Sequence, residues 1–308
     1  MAEGKILLGY HGSPGAYADN AARHLFQNHA TFRGKPFETV PYDTLNQMLS
    51  AVQNGDIHQA ILPVENSLSG TIHANFDKLI KMSNPRVFVV GEYVFYEPCC
   101  LIGVKGSRVE DIQEIQSHTH IIEQCMEFIH SLPNGDSITI SQGESTSSCA
   151  KHVSERNERQ LAAIASKNTA QIYDLEILAT GIEQSSSIFT RYFLLSKDPI
   201  VPERHMSPKS SYAVIMNNKP GALFKTLGSF AMRDINILKI ESRPSTRTIR
   251  YATPWEYIIY IDIDGAMETN PLVEKAVDNL KEFATQVIKL GSYPRYINDM
   301  GDFSPICY

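Results

Sequence analysis

The chain reads as an α/β protein in two parts, and three observations predict it. Short apolar strands alternate with helix patterns over most of the 308 residues. Several of those strands end in hydroxyl or amide side chains just before the next helix. Past a proline-bearing stretch the pattern becomes strand, helix, strand, strand, helix, strand, the βαββαβ order of a ferredoxin-like small domain.

Taken in order, residues 5–9 form an apolar strand, then Gly12-Ser-Pro-Gly-Ala-Tyr17 makes a glycine-punctuated turn and residues 18–27 a helix. The turn can bring backbone N–H groups near an anion. It is neither the Rossmann glycine pattern nor a P-loop with its lysine, so no nucleotide is expected. A strand over 37–41 and an amphipathic helix over 44–53 lead to the strand 57–64, which runs into Glu65, Asn66 and Ser67. Gly70 then turns the chain toward a helix over 72–81. Strands are expected over 86–92 and 94–103, a helix over 107–115, and a further helix through Cys125 and Phe128 behind His118 and His120. The strand 138–141 ends in Glu144-Ser-Thr-Ser-Ser148, and a helix runs from there to about 154. The strand 161–166 is buried and ends in Ser166, and the strand 189–195 opens with Thr190 and Arg191.

In open α/β sheets, ligands bind just outside the carboxyl ends of the strands. Taken alone, Glu65, Asn66 and Ser67 read better as caps of the next helix than as a site. Hydroxyls recur at the carboxyl ends of three strands, and capping does not explain why they gather on one side of a sheet. The recurrence therefore favours a ligand site.

Composition narrows the function classes. The chain is 43% hydrophobic and 20% charged, with a net charge of -6 and no basic run, which argues against a nucleic-acid partner. No apolar stretch approaches the length of a membrane span. Five cysteines, Cys99, Cys100, Cys125, Cys149 and Cys307, are an odd number without paired spacing, as in a reducing compartment. A strand pattern that begins at Lys5 suits a cytoplasmic protein, and a chain trimmed of a plastid leader would look the same. Cys149 and His152 have zinc-ligand spacing, but no second pair accompanies them, so no metal is expected.

Pro199, Pro202 and Pro208 mark a linker over 199–209. The small domain follows over 210–296, with strands at 211–216, 235–243, 256–264 and 285–291 and helices at 220–232 and 272–283. The polar segment 245–253, with Arg247 and Arg250, reads as a solvated insertion.

Placed side by side, the motifs resemble a known family. They are Gly12-Ser-Pro-Gly-Ala-Tyr17, Pro63-Val-Glu-Asn-Ser67, Gly70-Thr-Ile72, Ser117-His118, Glu144-Ser-Thr-Ser147, Phe189-Thr-Arg191, Pro220-Gly-Ala-Leu223 and Glu241-Ser-Arg-Pro244. In this order, from Ile6 to Pro294, the chain resembles prephenate dehydratase and its plant-type relative arogenate dehydratase, with a C-terminal ACT domain.

The resemblance implies a catalytic domain over 1–198 of the two-lobed periplasmic-binding-protein type. Its first lobe would hold about 1–102 and 183–198, its second about 103–182. It also implies a regulatory ACT domain that binds phenylalanine, a homo-tetramer or dimer, and decarboxylative dehydration of prephenate to phenylpyruvate, or of arogenate to phenylalanine. Loss of carbon dioxide and hydroxide creates an aromatic ring, so no cofactor is needed. The protein has to hold carboxylates, exclude water and give a proton to the departing hydroxyl.

By the resemblance Thr190 is the catalytic threonine and Ser145 a second catalytic residue at a position that holds substrate. A threonine hydroxyl is a weak acid and would need a relay through a serine or water. Asn66, Ser67, Thr71 and Thr146 hold substrate, Glu65 orients the loop, and Arg191 is either a carboxylate ligand or a structural ion-pair partner. Gly221, Ala222 and Leu223 at a helix N-terminus, with Glu241, Ser242, Arg243 and Pro244, would bind phenylalanine. Ala18, Ile188 and Tyr192 depart from the family pattern. The first two leave open an altered reaction, such as a decarboxylation that does not aromatise, or a non-catalytic phenylalanine-binding regulator.

Overall fold

The computed structural model describes residues 5–28, 32–81, 87–184, 188–216, 218–244 and 256–295. In chain order the first elements are β1 (Ile6–His11), α1 (Tyr17–Asn28), β2 (Phe37–Tyr42), α2 (Leu45–Asn54), β3 (Gln59–Asn66), β4 (Gly70–Thr71), α3 (His73–Lys81) and β5 (Phe88–Phe95). They are followed by β6 (Cys100–Gly103), β7 (Glu114–Ser117), α4 (Thr119–Ser131), β8 (Thr139–Gln142), α5 (Thr146–Arg156), β9 (Leu161–Ala165), α6 (Lys167–Ile172), β10 (Glu176–Thr180) and β11 (Thr190–Ser196). The last part holds β12 (Pro208–Met216), α7 (Ala222–Ala231), β13 (Ile237–Pro244), β14 (Tyr257–Asp264), α8 (Pro271–Lys281) and β15 (Ala284–Pro294). The chain is thus mixed α/β, as the alternating patterns predict.

It forms two compact units, each assembled from separated segments: 1–48, 66–70 and 95–190 in the first, and 49–65, 71–94 and 191–308 in the second. The expected linker, 199–209, lies inside the second unit.

In the first unit β1 and β2 run parallel, with Phe26 of α1 stacked on Phe37 at 4.6 Å. A five-stranded sheet has the order β10-β6-β9-β7-β8. β7 pairs in parallel with both β8 and β9, as expected where helices make the crossovers, while β6 runs antiparallel to β9 and β10. One face packs Leu101, Ile115, Cys125 and Ile164, the other Ile102, Ala150, Val153 and Ala163. All five strands are short and two are apolar throughout, the pattern of a sheet covered on both faces.

Three expectations change here. Residues 107–115 form a single 3-10 turn, Val109–Asp111, followed by β7. The apolar spacing at Val109, Ile112 and Ile115 suits a helix, but β8 and β9 take up the backbone of Ile115 from either side. The expected strands 86–92 and 94–103 are instead β5 and β6, separated near Pro98. Helix α6 and strand β10 had no sequence signal: α6 has only 6 residues, and β10 pairs with β6 through an irregular register.

The second unit contains β3, β11 and β5 as neighbours in that order, and the antiparallel sheet β13-β14-β12-β15 covered by α7 and α8. The βαββαβ order matches the prediction. Its core is Tyr212, Val214, Phe230, Ile261, Val273 and Leu280. Pro271 begins α8 behind Asn270, whose side chain accepts from the Leu272 N–H. The segment 245–253, expected as an insertion, lies outside the described residues.

Candidate functional site

In the first unit, Asn66 is hydrogen-bonded to Thr190, and Ser67 beside it to Phe189, the residue before Thr190. Asn66 ends β3 and Thr190 begins β11. Asn66 Nδ2 donates to Thr190 Oγ1 at 3.1 Å, while its Oδ1 accepts from the backbone of Leu68 and Ser69 at 3.0 and 3.1 Å. The amide therefore closes its own turn and orients the threonine at once. Ser67 and Phe189 bond reciprocally: Ser67 N–H donates to the Phe189 carbonyl at 2.9 Å, and Phe189 N–H donates to Ser67 Oγ at 2.9 Å. Strand β3 extends two residues past the expected end, so Asn66 is held by strand backbone rather than by loop. Beside it, Phe189 packs on Tyr96 at 5.8 Å, and Tyr96 donates to Glu183 at 2.8 Å.

Ser145 and Thr146 start α5. Ser145 is the N-cap in a reciprocal capping box with Ser148, and Thr146 is buried. The capping role and a ligand role compete for the same hydroxyl. The first turn of α5 is tied to the glycine turn by Ser147, which donates to the Pro14 carbonyl at 2.6 Å. Thr169 does the same to Gly15 at 2.6 Å, and Asn20 donates to Gly15 O, Ser166 and Glu97. Ser147 stands in a motif the sequence singled out, but its contact, like the roles of Thr169 and Asn20, had no sequence signal because the partners are far along the chain. Ser166, one of the hydroxyls that suggested a site, is fully buried and caps α6. Tyr17 donates to Cys99 Sγ at 3.3 Å, and burial followed by the neighbouring Cys99 pushes the phenol well above its ordinary range.

In the second unit, Arg191 is surrounded by carboxylates. Its Nε donates to Glu92 at 2.9 Å, Nη1 to Glu65 at 3.3 Å, and Nη2 to the Tyr293 hydroxyl at 3.2 Å. Nη2 also lies 2.7 Å from Asp262, a charge contact made without hydrogen-bond alignment. Burial disfavours the charged guanidinium, but Asp262 and Glu92 hold it firmly protonated. The Asp262 carboxyl is pushed up by burial and more than compensated by Arg191 and Lys209, so it lies below its ordinary value. These contacts are the ones a structural ion-pair partner needs. Glu65 also accepts from Lys239 at 2.5 Å, and Thr71 accepts from Lys239 at 2.7 Å and donates to Glu241 at 2.9 Å.

Of the expected effector residues, Gly221, Ala222, Leu223 and Ser242 line a cavity of about 340 Å³, together with Tyr257 and Ile259. Gly221 sits at φ 78° as the N-cap of α7, a conformation suited to glycine. Strand alternation aims Glu241 and Arg243 elsewhere: to Thr71 and His73, and to Asp77 at 3.0 Å. Pro244 ends β13. Among the described residues no group of three His, Cys, Asp or Glu side chains could hold a metal, and no helix is long and apolar enough to cross a membrane.

Comparison with known proteins places this arrangement. A family profile described as prephenate dehydratase matches residues 8–200. The Arabidopsis thaliana protein named arogenate dehydratase/prephenate dehydratase 1, chloroplastic, is 34% identical over 301 residues, covering 95% of this chain and 73% of its own. Among solved structures, prephenate dehydratase from Arthrobacter aurescens in complex with L-Phe matches with a TM-score of 0.82 at 25% identity, over 96% of this chain and 92% of that one. GqqA, described as a novel type of quorum quenching acylase, matches with a TM-score of 0.76 at 29% identity, over 94% of this chain and 98% of that one. Fold and matches together define a carbon-oxygen lyase of the dehydratase class. The chain belongs to the prephenate dehydratase family.

Proposed function

We propose that the chain removes carbon dioxide and hydroxide together from prephenate or arogenate, giving phenylpyruvate or phenylalanine. The bond from Asn66 Nδ2 to Thr190 Oγ1 supports this reading most. With an acceptor site of the hydroxyl occupied, the Thr190 proton is free to be given to a leaving oxygen. A threonine hydroxyl is a weak acid, so its gift has to be made good by a relay through Ser145 or water. Asn66, Ser67 and Thr146 hold the substrate, with Glu65 and Thr71 setting the shoulders of the loop. Arg191 acts through its ion pairs. Aromatisation makes the step intrinsically downhill, so positioning and electrostatics carry the catalysis.

The domain assignment belongs to the same proposal. Residues 1–198 form a catalytic domain of the two-lobed periplasmic-binding-protein type, 199–209 a linker, and 210–296 an ACT domain. The small-domain cavity takes phenylalanine: backbone N–H groups at the start of α7 meet the carboxylate, and Tyr257 and Ile259 line the space beside them. The L-Phe complex of the Arthrobacter aurescens enzyme supports this reading. Assembly as a homo-tetramer or dimer completes it. The chloroplastic relative makes the plastid an alternative to the cytoplasm.

A second reading, redirected chemistry or binding without turnover, draws on Ala18 and Ile188. Both are buried apolar side chains where the family pattern is polar. Incubation with prephenate and separately with arogenate, with products resolved by chromatography against a Thr190→Ala control, separates these readings. Phenylpyruvate or phenylalanine well above the control supports dehydration. A decarboxylated product that keeps its hydroxyl supports redirected chemistry, and phenylalanine binding without turnover supports the regulator.

A further inference from the structure

Strand β13 has two faces with different partners. Its residues alternate between partly buried and exposed along its whole length. Lys239, Glu241 and Arg243 point one way. Lys239 Nζ donates to Glu65 Oε1 at 2.5 Å and to Thr71 Oγ1 at 2.7 Å. Glu241 accepts from Thr71 at 2.9 Å and lies 3.0 Å from His73 Nε2, and Arg243 donates to Asp77. Leu238, Ile240 and Ser242 point the other way, and Ser242 lines the cavity bounded by the start of α7.

Glu65 and Thr71 bracket residues 66–70, which carry Asn66 and Ser67. A single ammonium group therefore holds both shoulders of the segment that bears two of the proposed substrate contacts. We propose that Lys239 is a positioning residue: it clamps the Glu65 and Thr71 shoulders and transmits occupancy of the Ser242 cavity to the substrate segment. The transmission half rests on the reading of that cavity as a phenylalanine site.

Two features make β13 suitable. Among the described residues it is the outer strand of its sheet, hydrogen-bonded to β14 on one side in the order β13-β14-β12-β15. Its register with β14 shifts between Ile237 and Lys239, so the ladder is interrupted where the clamp begins. A ligand seated against Ser242 displaces a strand held on one flank, and the opposite face carries Lys239 and Glu241 with it. The coupling works because the ligand has different contact energy in the two positions of the strand.

The test uses the full chain and its Lys239→Met and Lys239→Arg variants, with Glu241→Gln as a milder second lesion and circular dichroism to confirm folding. Hydrogen exchange over residues 65–72 is measured with and without phenylalanine, phenylalanine binding by calorimetry, and turnover by steady-state kinetics. Without ligand, Lys239→Met should exchange faster over 65–72 and raise KM about tenfold with kcat within about threefold, and Lys239→Arg should restore both. Phenylalanine should alter exchange over 65–72 in the wild type and leave it unchanged in Lys239→Met, although both bind it. Unchanged exchange and KM in Lys239→Met overturn the clamp. A wild type that binds phenylalanine without any change over 65–72 overturns the transmission. Failure of the underlying readings looks different: no turnover by the wild type removes the dehydratase, no phenylalanine binding removes the effector and with it the transmission, and exchange in the unliganded variant still decides the clamp.

Discussion

Asn66 Nδ2 stands 3.1 Å from Thr190 Oγ1, a bond between residues 124 positions apart that joins the end of one strand to the start of another. If the Thr190 proton serves the leaving hydroxyl, Thr190→Ala should lower kcat by about 10²–10³-fold. Thr190→Ser should keep most of the activity. Asn66→Asp replaces a donor with an acceptor that captures the threonine proton, so kcat should fall while the fold survives. Steady-state kinetics with chromatographic product detection reads all three, and a Thr190→Ala enzyme within about threefold of wild type would remove Thr190 from the chemistry.

Arg191 pairs with Glu65, Glu92 and Asp262 from a position where water scarcely reaches, and Lys209 and Lys239 share the balancing of that charge. Removing Arg191 leaves the three carboxylates with only Lys209, 2.8 Å from Glu92, and Lys239, 2.5 Å from Glu65, to offset them. Arg191→Met should destabilise the protein by about 3–5 kcal/mol, because breaking a buried ion pair on one side costs far more than deleting it whole. Urea unfolding measures the loss. A change below about 1 kcal/mol would show that solvent already screens the group.

Glu97 gives the first unit a pH-dependent stability. Both of its carboxyl oxygens accept from Asn20, at 3.1 and 3.0 Å, and Asp19, itself paired with Arg23, lies near. Burial raises its pKa from 4.5 to about 7, against the lowering effect of Asn20 and Ser166. The native state then keeps a proton that the unfolded chain releases at lower pH. Stability contributed by the neutral form is complete at acid pH, declines as pH rises from about 4.5 to about 7, and levels off above. Glu97→Gln should remove a decline on the order of 1–2 kcal/mol between about pH 5 and pH 8. Parallel pH slopes in the two proteins would sink this assignment.

Gly291 of β15 lies against β5. A Cβ built at Gly291 would stand far inside van der Waals contact with the Val89 carbonyl oxygen, a backbone atom that cannot swing aside. Gly291→Ala should cost about 2–4 kcal/mol or prevent folding. Expression yield and thermal unfolding report it. Gly34→Ala is the control, since an added methyl there meets nothing within 4 Å, although its φ of 82° still carries a modest backbone cost.

Much of this protein was legible from the sequence by itself. Alternation of apolar strands and amphipathic helices set the α/β class, and the change of pattern past Pro208 set the βαββαβ order, because both depend on side-chain period within a few residues. The ordered motifs picked out Asn66, Ser67 and Thr190, and the structure brings those three together in the first unit. Tertiary structure alone decided other points. Glu114 and Ile115, at the end of the expected helix, became strand because β8 and β9 pair with them. Ser166 looked like a site hydroxyl and is a buried cap, since its surroundings come from Gly15 and Asn20. Arg191 could have met substrate or protein, and the choice lay with Glu92 and Asp262, distant in sequence. Lys239 carried no signal at all. Local propensity is written in neighbouring residues, whereas a charge acquires its partner only when folding has excluded water and brought remote strands within a few ångströms.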